Sequence, residues 1–346
     1  MIEPCVFFLE TLDLTGLGNK LRALQSSYIL SCLLKRRLHI SYPLYHNCFL
    51  CPDDVVVAEP SVFDSLRPDQ VFVVESVDDL DVLFDLPVLP HVIVTGKGFS
   101  FVHYLYTRFE VFSSSPSNFV SKCSSLFATP SPRLKVAVNS IRGSSDSYVV
   151  FQFREFVDSL SENKFFFKYF IESLSELLPS ISSLLCDPSC LRLFLSDSPD
   201  IAAMMFSLVQ GRYFSPRYYL DDKFVHTSFH SPLRRGSLWS AFIEVFRRIS
   251  QIFRFLIMRM IQGKIYSFPS SSLNKSLYLF SPSRCSDGKI HVVAVWYLIR
   301  LSRSVYSTQT SFISSAVFGS GVDVFGFNPG QRSFSRLSPF EVLVNH

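Results

Sequence analysis

Charge is scarce in this chain. Asp, Glu, Lys and Arg make up 18% of its 346 residues, and the formal net charge is only +4. That is far from the load a nucleic-acid binder carries, and nucleic acid is excluded as a partner. Long apolar runs are missing as well. The most apolar stretch, Ile290–Ile299, is much too short to cross a bilayer, so no membrane span is expected. The apolar patch Val6–Leu9 lacks the basic n-region of a secretory signal. The 8 cysteines are scattered and form no disulfide framework. Cys48 and Cys51 make a CxxC pair, and Cys186 and Cys190 a CxxxC pair. A zinc site joining the pairs is one reading; buried free thiols are the default. No repeat of about 20–50 residues recurs.

What is present is material for large cores. Hydrophobic residues reach 48%, with 36 Phe among them, which excludes disorder. The length suits two domains. A mild positive balance gathered in a cleft would suit a nucleotide diphosphate.

The chain is organised around Leu14–Ile40, where the Gly16-Leu17-Gly18-Asn19 turn opens a long helical segment. Gly16 and Gly18 allow a tight turn and close approach to a bound group. Asn19 is a candidate cap. Leu21, Leu24, Tyr28 and Cys32 recur at helical spacing, which predicts one buried face. A glycine turn feeding a helix start is either a plain entry to a core helix or an anion site, because unpaired N–H groups point outward there.

Short apolar runs then alternate with helical segments. Arg37–Ser41, Val55–Val57, Val71–Glu75 and His91–Thr95 read as strands, Val77–Phe84 as a short helix or loop, and Phe99–Phe109 as a helix. This is the pattern of an α/β domain with a parallel sheet. Ser113–Pro132 is dense in Ser and Pro and reads as a linker, so we expect an N-terminal α/β domain over 1–115, a linker over 116–132 and a C-terminal α/β domain over 133–346.

In the second half, Leu134–Ile141 reads as a strand ending at Arg142-Gly143-Ser144-Ser145-Asp146, a phosphate-facing turn or a surface turn. An arginine there can grip a diphosphate bidentately. Phe151–Phe170 and Ile171–Leu185 read as helices, and Leu191–Leu195 as a strand followed by Asp197 and a helix from near Pro199. Arg234–Lys264 reads as a basic helix, core-packed or surface-binding. Ile290–Leu301 is a buried helix or strand. Ser304–Ser307 is a strand, and Thr308–Gly321 a hydroxyl-rich turn entering a helix, where Thr308, Thr310 and Ser311 face a phosphate or cap the helix.

Four pieces stand in a fixed order: GLGNKL, SIRGSSD, RLFLSDSPDI and GKIHVVAVWYLIRLSRSVYSTQTSFISSAVFG. In that order they resemble the fucosyltransferase superfamily of GT-B glycosyltransferases, which holds α1,6-, plant α1,2- and protein O-fucosyltransferases. Those enzymes carry a G-x-G-N-x-L element, a strand ending in H-x-R-x-x-D, a strand ending near T-D-S/D-P, and a serine-rich turn. The resemblance runs from Gly16 to Gly321 and implies a GT-B-like α/β fold of two Rossmann-like domains facing across a cleft. It implies transfer of fucose from GDP-fucose, with inversion and no required metal, to a glycan or protein hydroxyl. By position, Arg142 would hold the β-phosphate. Gly16, Gly18, Asn19, Asp197, Thr310, Ser311 and Phe312 would line the donor, and closure of the two domains would exclude water. The reading requires Asn19 and Arg142 to face one another across the cleft. Asp54, Glu59 and Glu75 are candidate bases. Ser140 stands where the family has His, and Tyr297 where it often has a carboxylate for guanine; these departures motivate the alternative of an inactive sugar-nucleotide or glycan binder. The superfamily works in the Golgi or secretory pathway behind an N-terminal anchor; a chain complete as given would be cytoplasmic.

Overall fold

The computed structural model describes residues 4–10, 16–59, 62, 66, 70–86, 90–95, 101–108, 123–145, 147–154, 166–196, 199–213, 218–220, 285–338 and 341–344. The basic stretch Arg234–Lys264 and Asp197 lie outside these residues. Among the described residues two sheets form, one from each half of the chain.

The first half runs β1 (Val6–Leu9), α1 (Leu17–Leu34), β2 (Leu38–Ser41), α2 (Pro43–Cys48), β3 (Val55–Val57), β4 (Val71–Val74), α3 (Val77–Asp85), β5 (His91–Thr95) and α4 (Phe101–Arg108). Its five strands are ordered β3-β2-β1-β5-β4 and all run parallel. The predicted strands and helices of this half are present. The Val6–Leu9 patch is also a strand, and the central one. Phe8 sits between Ile40 and Val94 in the ladder, fully buried.

The second half runs α5 (Pro132–Arg142), β6 (Ser147–Phe153), α6 (Phe166–Leu177), a 3-10 turn (Leu178–Ile181), α7 (Ser182–Leu185), β7 (Cys190–Ser196), α8 (Pro199–Gln210), β8 (Tyr218–Leu220), α9 (Cys285–Arg300), β9 (Ser304–Ser307), α10 (Ser311–Val317), β10 (Asp323–Asn328), β11 (Ser333–Leu337) and α11 (Glu341–Val344). The sheet order is β11-β10-β9-β6-β7-β8, parallel except for the edge strand β11.

Two expectations fail here. Leu134–Ile141 is helical, not a strand. Ser131 caps it by accepting the Leu134 N–H at 3.2 Å, Pro132 opens the first turn, and Gly143 ends it at φ 56. Its buried residues are Leu134 and Val138, four apart, while Val136 between them is 69% exposed. Helical spacing wins over the apparent alternation. The strand lies further on, at Ser147–Phe153, so Phe151–Phe153 is extended and not helical.

The faces of β6 explain the abundance of Phe. Val149, Phe151 and Phe153 point into an aromatic core with Phe170, Phe194, Tyr306 and Phe327. Phe151 stacks on Tyr306 with centroids 5.5 Å apart, and Phe153 meets Phe170 edge-on at 5.0 Å. Tyr148 and Val150 point the other way, into a core that also holds Trp296 of α9, Ile313 of α10, Leu24 of α1 and Phe8 of β1. That second core is continuous from one sheet to the other.

α1 lies in the middle of this shared core. From Leu17 to Ser31 nearly every residue is buried, so the prediction of a single buried face is corrected: one side meets the first sheet and another meets α10. The described part of the Ser/Pro-rich stretch is stitched to its surroundings. Ser124 Oγ donates to Gly319 O, Tyr45 Oη donates to Leu126 O at 2.7 Å, Leu50 N donates to Thr129 O at 2.9 Å, and Ser131 N donates to Cys48 O at 2.8 Å.

Candidate functional site

Open parallel sheets offer a crevice beyond the carboxyl ends of their strands, at the point where strand order reverses. In the second sheet the chain moves outward from β6 through β7 and β8, then returns to β9 on the other side of β6. The reversal therefore lies between β6 and β9. The residues that follow these two strands are Arg154 and the run Thr308–Ser311.

They are bonded to each other. Thr308 N donates to Gln152 O at 3.2 Å, and Arg154 N donates to Thr308 Oγ1 at 2.9 Å. Gln309 then turns the chain out of the sheet at a φ of 35°. Thr310 caps α10, its hydroxyl accepting the Ile313 N–H at 3.3 Å. By the alternation of β6, Arg154 falls on the same face as Val150 and Gln152, the face covered by α9 and α10.

The other wall is the start of α1. Gly16 is the N-cap, extended and without a side-chain cap. Asn19 is therefore inside the first turn and does not cap the helix, as had been expected. Gly18 touches the backbone of α10: a methyl group there would stand 2.4 Å from Phe312 N and 2.6 Å from both Phe312 Cα and Ser311 C. Only glycine permits that approach. One turn and more behind it, Gln25 Nε2 donates to Ser315 O at 3.2 Å, and Trp296 Nε1 donates to Ser315 Oγ at 2.9 Å.

Two buried cations flank this junction. Lys20, in the first turns of α1, pairs with Glu10 at 2.9 Å just beyond β1, where the strand order of the first sheet reverses between β1 and β5. Arg300, the last residue of α9, donates to Ala316 O at 3.1 Å, Phe318 O at 2.9 Å and Ser124 Oγ at 2.9 Å. Its guanidinium also lies 5.6 Å from the Phe127 ring centroid. Burial pulls its pKa down to about 10, so it stays charged at neutral pH and sits against the carbonyl end of α10.

Gly18 is thus brought against Ser311 and Phe312, with Gly16 and Asn19 beside it at the start of α1 and Thr310 capping α10. Arg142 is not brought there. It ends α5 ahead of β6, on the amino side of the sheet. Seven residues of β6 separate that edge from the crevice, about 20 Å at the usual rise per residue. The required opposition of Asn19 and Arg142 is therefore absent, and the strand-end arginine is Arg154. The sequence signal for it was a strand ending in x-x-Arg at Gln152-Phe153-Arg154, hidden by reading this segment as helix. Asp197 falls just past Ser196, the last residue of β7, outside the described residues.

The other candidates divide by edge. Asp54 precedes β3, on the amino side, and accepts from Tyr28 Oη at 2.7 Å. Glu59 and Glu75 follow the edge strands β3 and β4, on the carboxyl side. Glu10, not singled out from sequence, stands on that side nearest the reversal. Ser140 lies on α5, and its hydroxyl donates to Ala137 O at 2.7 Å. Tyr297 is buried in the shared core with its ring 5.9 Å from Phe49. Cys48, Cys51, Cys186 and Cys190 are all free thiols. Cys48 is deep in the core, where burial pushes its pKa up to about 12, which suits a packing role and not a zinc ligand. Among the described residues no group of metal-ligating side chains gathers, and no helix is long and apolar enough to cross a membrane.

Two Rossmann-like domains with crevices at the carboxyl edges of their sheets are the arrangement of the GT-B fold, and the solved structures that the chain resembles have that fold. The chain matches NodZ α-1,6-fucosyltransferase from Bradyrhizobium, co-crystallized with GDP, over 97% of this chain and 99% of that one, at 12% identity and a TM-score of 0.50. The same protein soaked with GDP-fucose gives 12% identity and a TM-score of 0.51 over the same shares. A variant of Arabidopsis thaliana FUT1 in complex with GDP matches over 97% of this chain and 74% of that one, at 13% identity and a TM-score of 0.58. At such identities the likeness is one of fold. No protein-family model matches the sequence, and no curated protein does.

Proposed function

We propose that this protein is a glycosyltransferase that takes GDP-fucose as donor and passes fucose, with inversion, to a hydroxyl of a glycan or protein. The observation that carries the reading is the junction at the reversal of the second sheet. There Arg154 is bonded to Thr308 after β6, and the Ser311–Phe312 start of α10 lies against Gly18 of α1, within a fold like that of NodZ and FUT1. Displacing GDP from fucose requires charge on the departing diphosphate to be stabilised. Arg154, whose planar guanidinium can bond two oxygens at once, is the group assigned to that task. Glycine at position 18 leaves room for backbone, not side chain, beside the donor. An acceptor hydroxyl needs a proton acceptor, and Glu10, Glu59 and Glu75 stand on the facing edge of the first sheet.

A second reading has its own support. Gln152 stands where the strand-ending pattern carries His, and Tyr297 is buried where the family often has a carboxylate for guanine. Either change is compatible with a protein that binds the sugar nucleotide without transferring sugar. Titration calorimetry with GDP, GDP-fucose, UDP and ADP, followed by assays of donor hydrolysis and transfer, separates the readings. GDP binding that is lost in Arg154→Ala, together with turnover, supports the enzyme. The same binding without turnover supports the binder. No guanine-nucleotide binding, or binding unchanged by Arg154→Ala, refutes both.

A further inference from the structure

We propose that Thr308 is a positioning residue for Arg154, acting through the arginine's backbone; the inference rests on the reading of Arg154 as the group that holds the diphosphate. In the β6–β9 ladder the last paired residues are Gln152 and Ser307, and the last backbone bond runs from Thr308 N to Gln152 O. If the parallel ladder continued, the Arg154 N–H would donate to the backbone carbonyl of Thr308. It donates instead to the Thr308 hydroxyl, at 2.9 Å. The side chain stands in for its own carbonyl.

That substitution solves a local conflict. The chain after β9 must leave the sheet at once to start α10, and it does so at Gln309, whose φ of 35° turns it away. β6 would then lose its partner strand one residue before Arg154, and the backbone N–H of Arg154 would be without a ladder acceptor. Thr308 lets β9 depart while keeping β6 pinned through Arg154. The hydroxyl is well suited to this. Thr308 is 3% exposed, so water does not compete, and a β-branched side chain has few χ1 wells to choose from. The sequence left Thr308 either facing a phosphate or helping to cap the helix. Its hydroxyl is turned inward, and its effect on a ligand passes through Arg154.

The test compares variants by calorimetry with GDP and with GMP, which lacks the second phosphate. Thr308→Val keeps the shape and removes the acceptor. It is expected to weaken GDP binding about tenfold while changing GMP binding by less than about twofold, because positioning matters most to a bidentate grip. Thr308→Ser keeps the acceptor and is expected to restore most of the GDP affinity. In an Arg154→Lys background, where the bidentate fork is already gone, Thr308→Val should have little further effect. If Thr308→Val does not fold, Thr308→Ala carries the same comparison. Arg154→Ala binding GDP like the wild type overturns the parent reading. Arg154→Ala losing GDP while Thr308→Val retains full affinity overturns this inference alone. So does a loss that is equal for GDP and GMP, or undiminished in the Arg154→Lys background.

Discussion

Replacing Gly18 by Ala sets two well-measured effects against each other. In an exposed helix interior, Ala is favoured over Gly by about 1 kcal/mol. Position 18 is in the first turn of α1, so helix propensity alone predicts a modest gain. The geometry predicts the reverse. The new methyl group would lie 2.4–2.6 Å from three backbone atoms of Ser311 and Phe312, where ordinary contact begins near 3.4 Å. Those atoms belong to a helix start fixed by the Thr310 cap and by the Gln25–Ser315 and Trp296–Ser315 bonds. They cannot rotate aside as a side chain would, so α1 and α10 must separate by roughly 1 Å. Overpacking of this kind costs ~1–3 kcal/mol, and several bonds across the junction would be stretched in addition. A net loss of about 2 kcal/mol is expected in urea unfolding, with GDP affinity falling more than about tenfold. A Gly18→Ala protein that is as stable as the wild type, or more so, and binds GDP normally would refute the close approach of the two helix starts.

Three further outcomes follow from described contacts. Arg300→Met removes the buried donor to Ala316 O, Phe318 O and Ser124 Oγ, and should lower unfolding free energy by about 2–4 kcal/mol; Arg300→Lys should recover only part, lacking the fork. Burial holds His39, His46 and His91 below the ordinary 6.5, so the unfolded chain takes up protons first on acidification. Stability should be full above about pH 6.5 and fall as pH drops below it, and a urea midpoint unchanged between about pH 7.5 and 5.5 would contradict this. Trp296→Phe removes the indole donor to Ser315 Oγ and part of the shared core, and should cost about 1–3 kcal/mol in the same assay without abolishing the fold.

The parallel strands of the first half were legible because VFVVE and HVIVT are short apolar runs bounded by polar turns, the mark of a strand buried on both faces. The glycine and hydroxyl turns were legible for a similar reason: Gly18 and Thr310 are residue types that backbone approach and helix capping demand. The failures cluster at one place. LKVAVNSI carries enough alternation to pass for a strand, and its helical identity rests on the Ser131-Pro132 start and the Gly143 stop. Reading it as a strand pushed Phe151–Phe153, the end of the next apolar run SYVVFQF, into a helix and moved the strand-end arginine from Arg154 to Arg142. No local signal revealed that α1 is buried on several sides, because that depends on α10, far away in sequence.

That distance has a consequence in time. Gln25 and Ser315, bonded across the junction, are 290 residues apart. At ordinary rates of translation, about 5–20 residues per second, the wall built from α1 leaves the ribosome ~15–60 s before the wall built from α10. During that interval the apolar flank of α1 has no native cover, and a nucleotide meets no second wall. A molecule captured at this junction binds only finished chains, and by mass action it favours those that have closed correctly over those that have not.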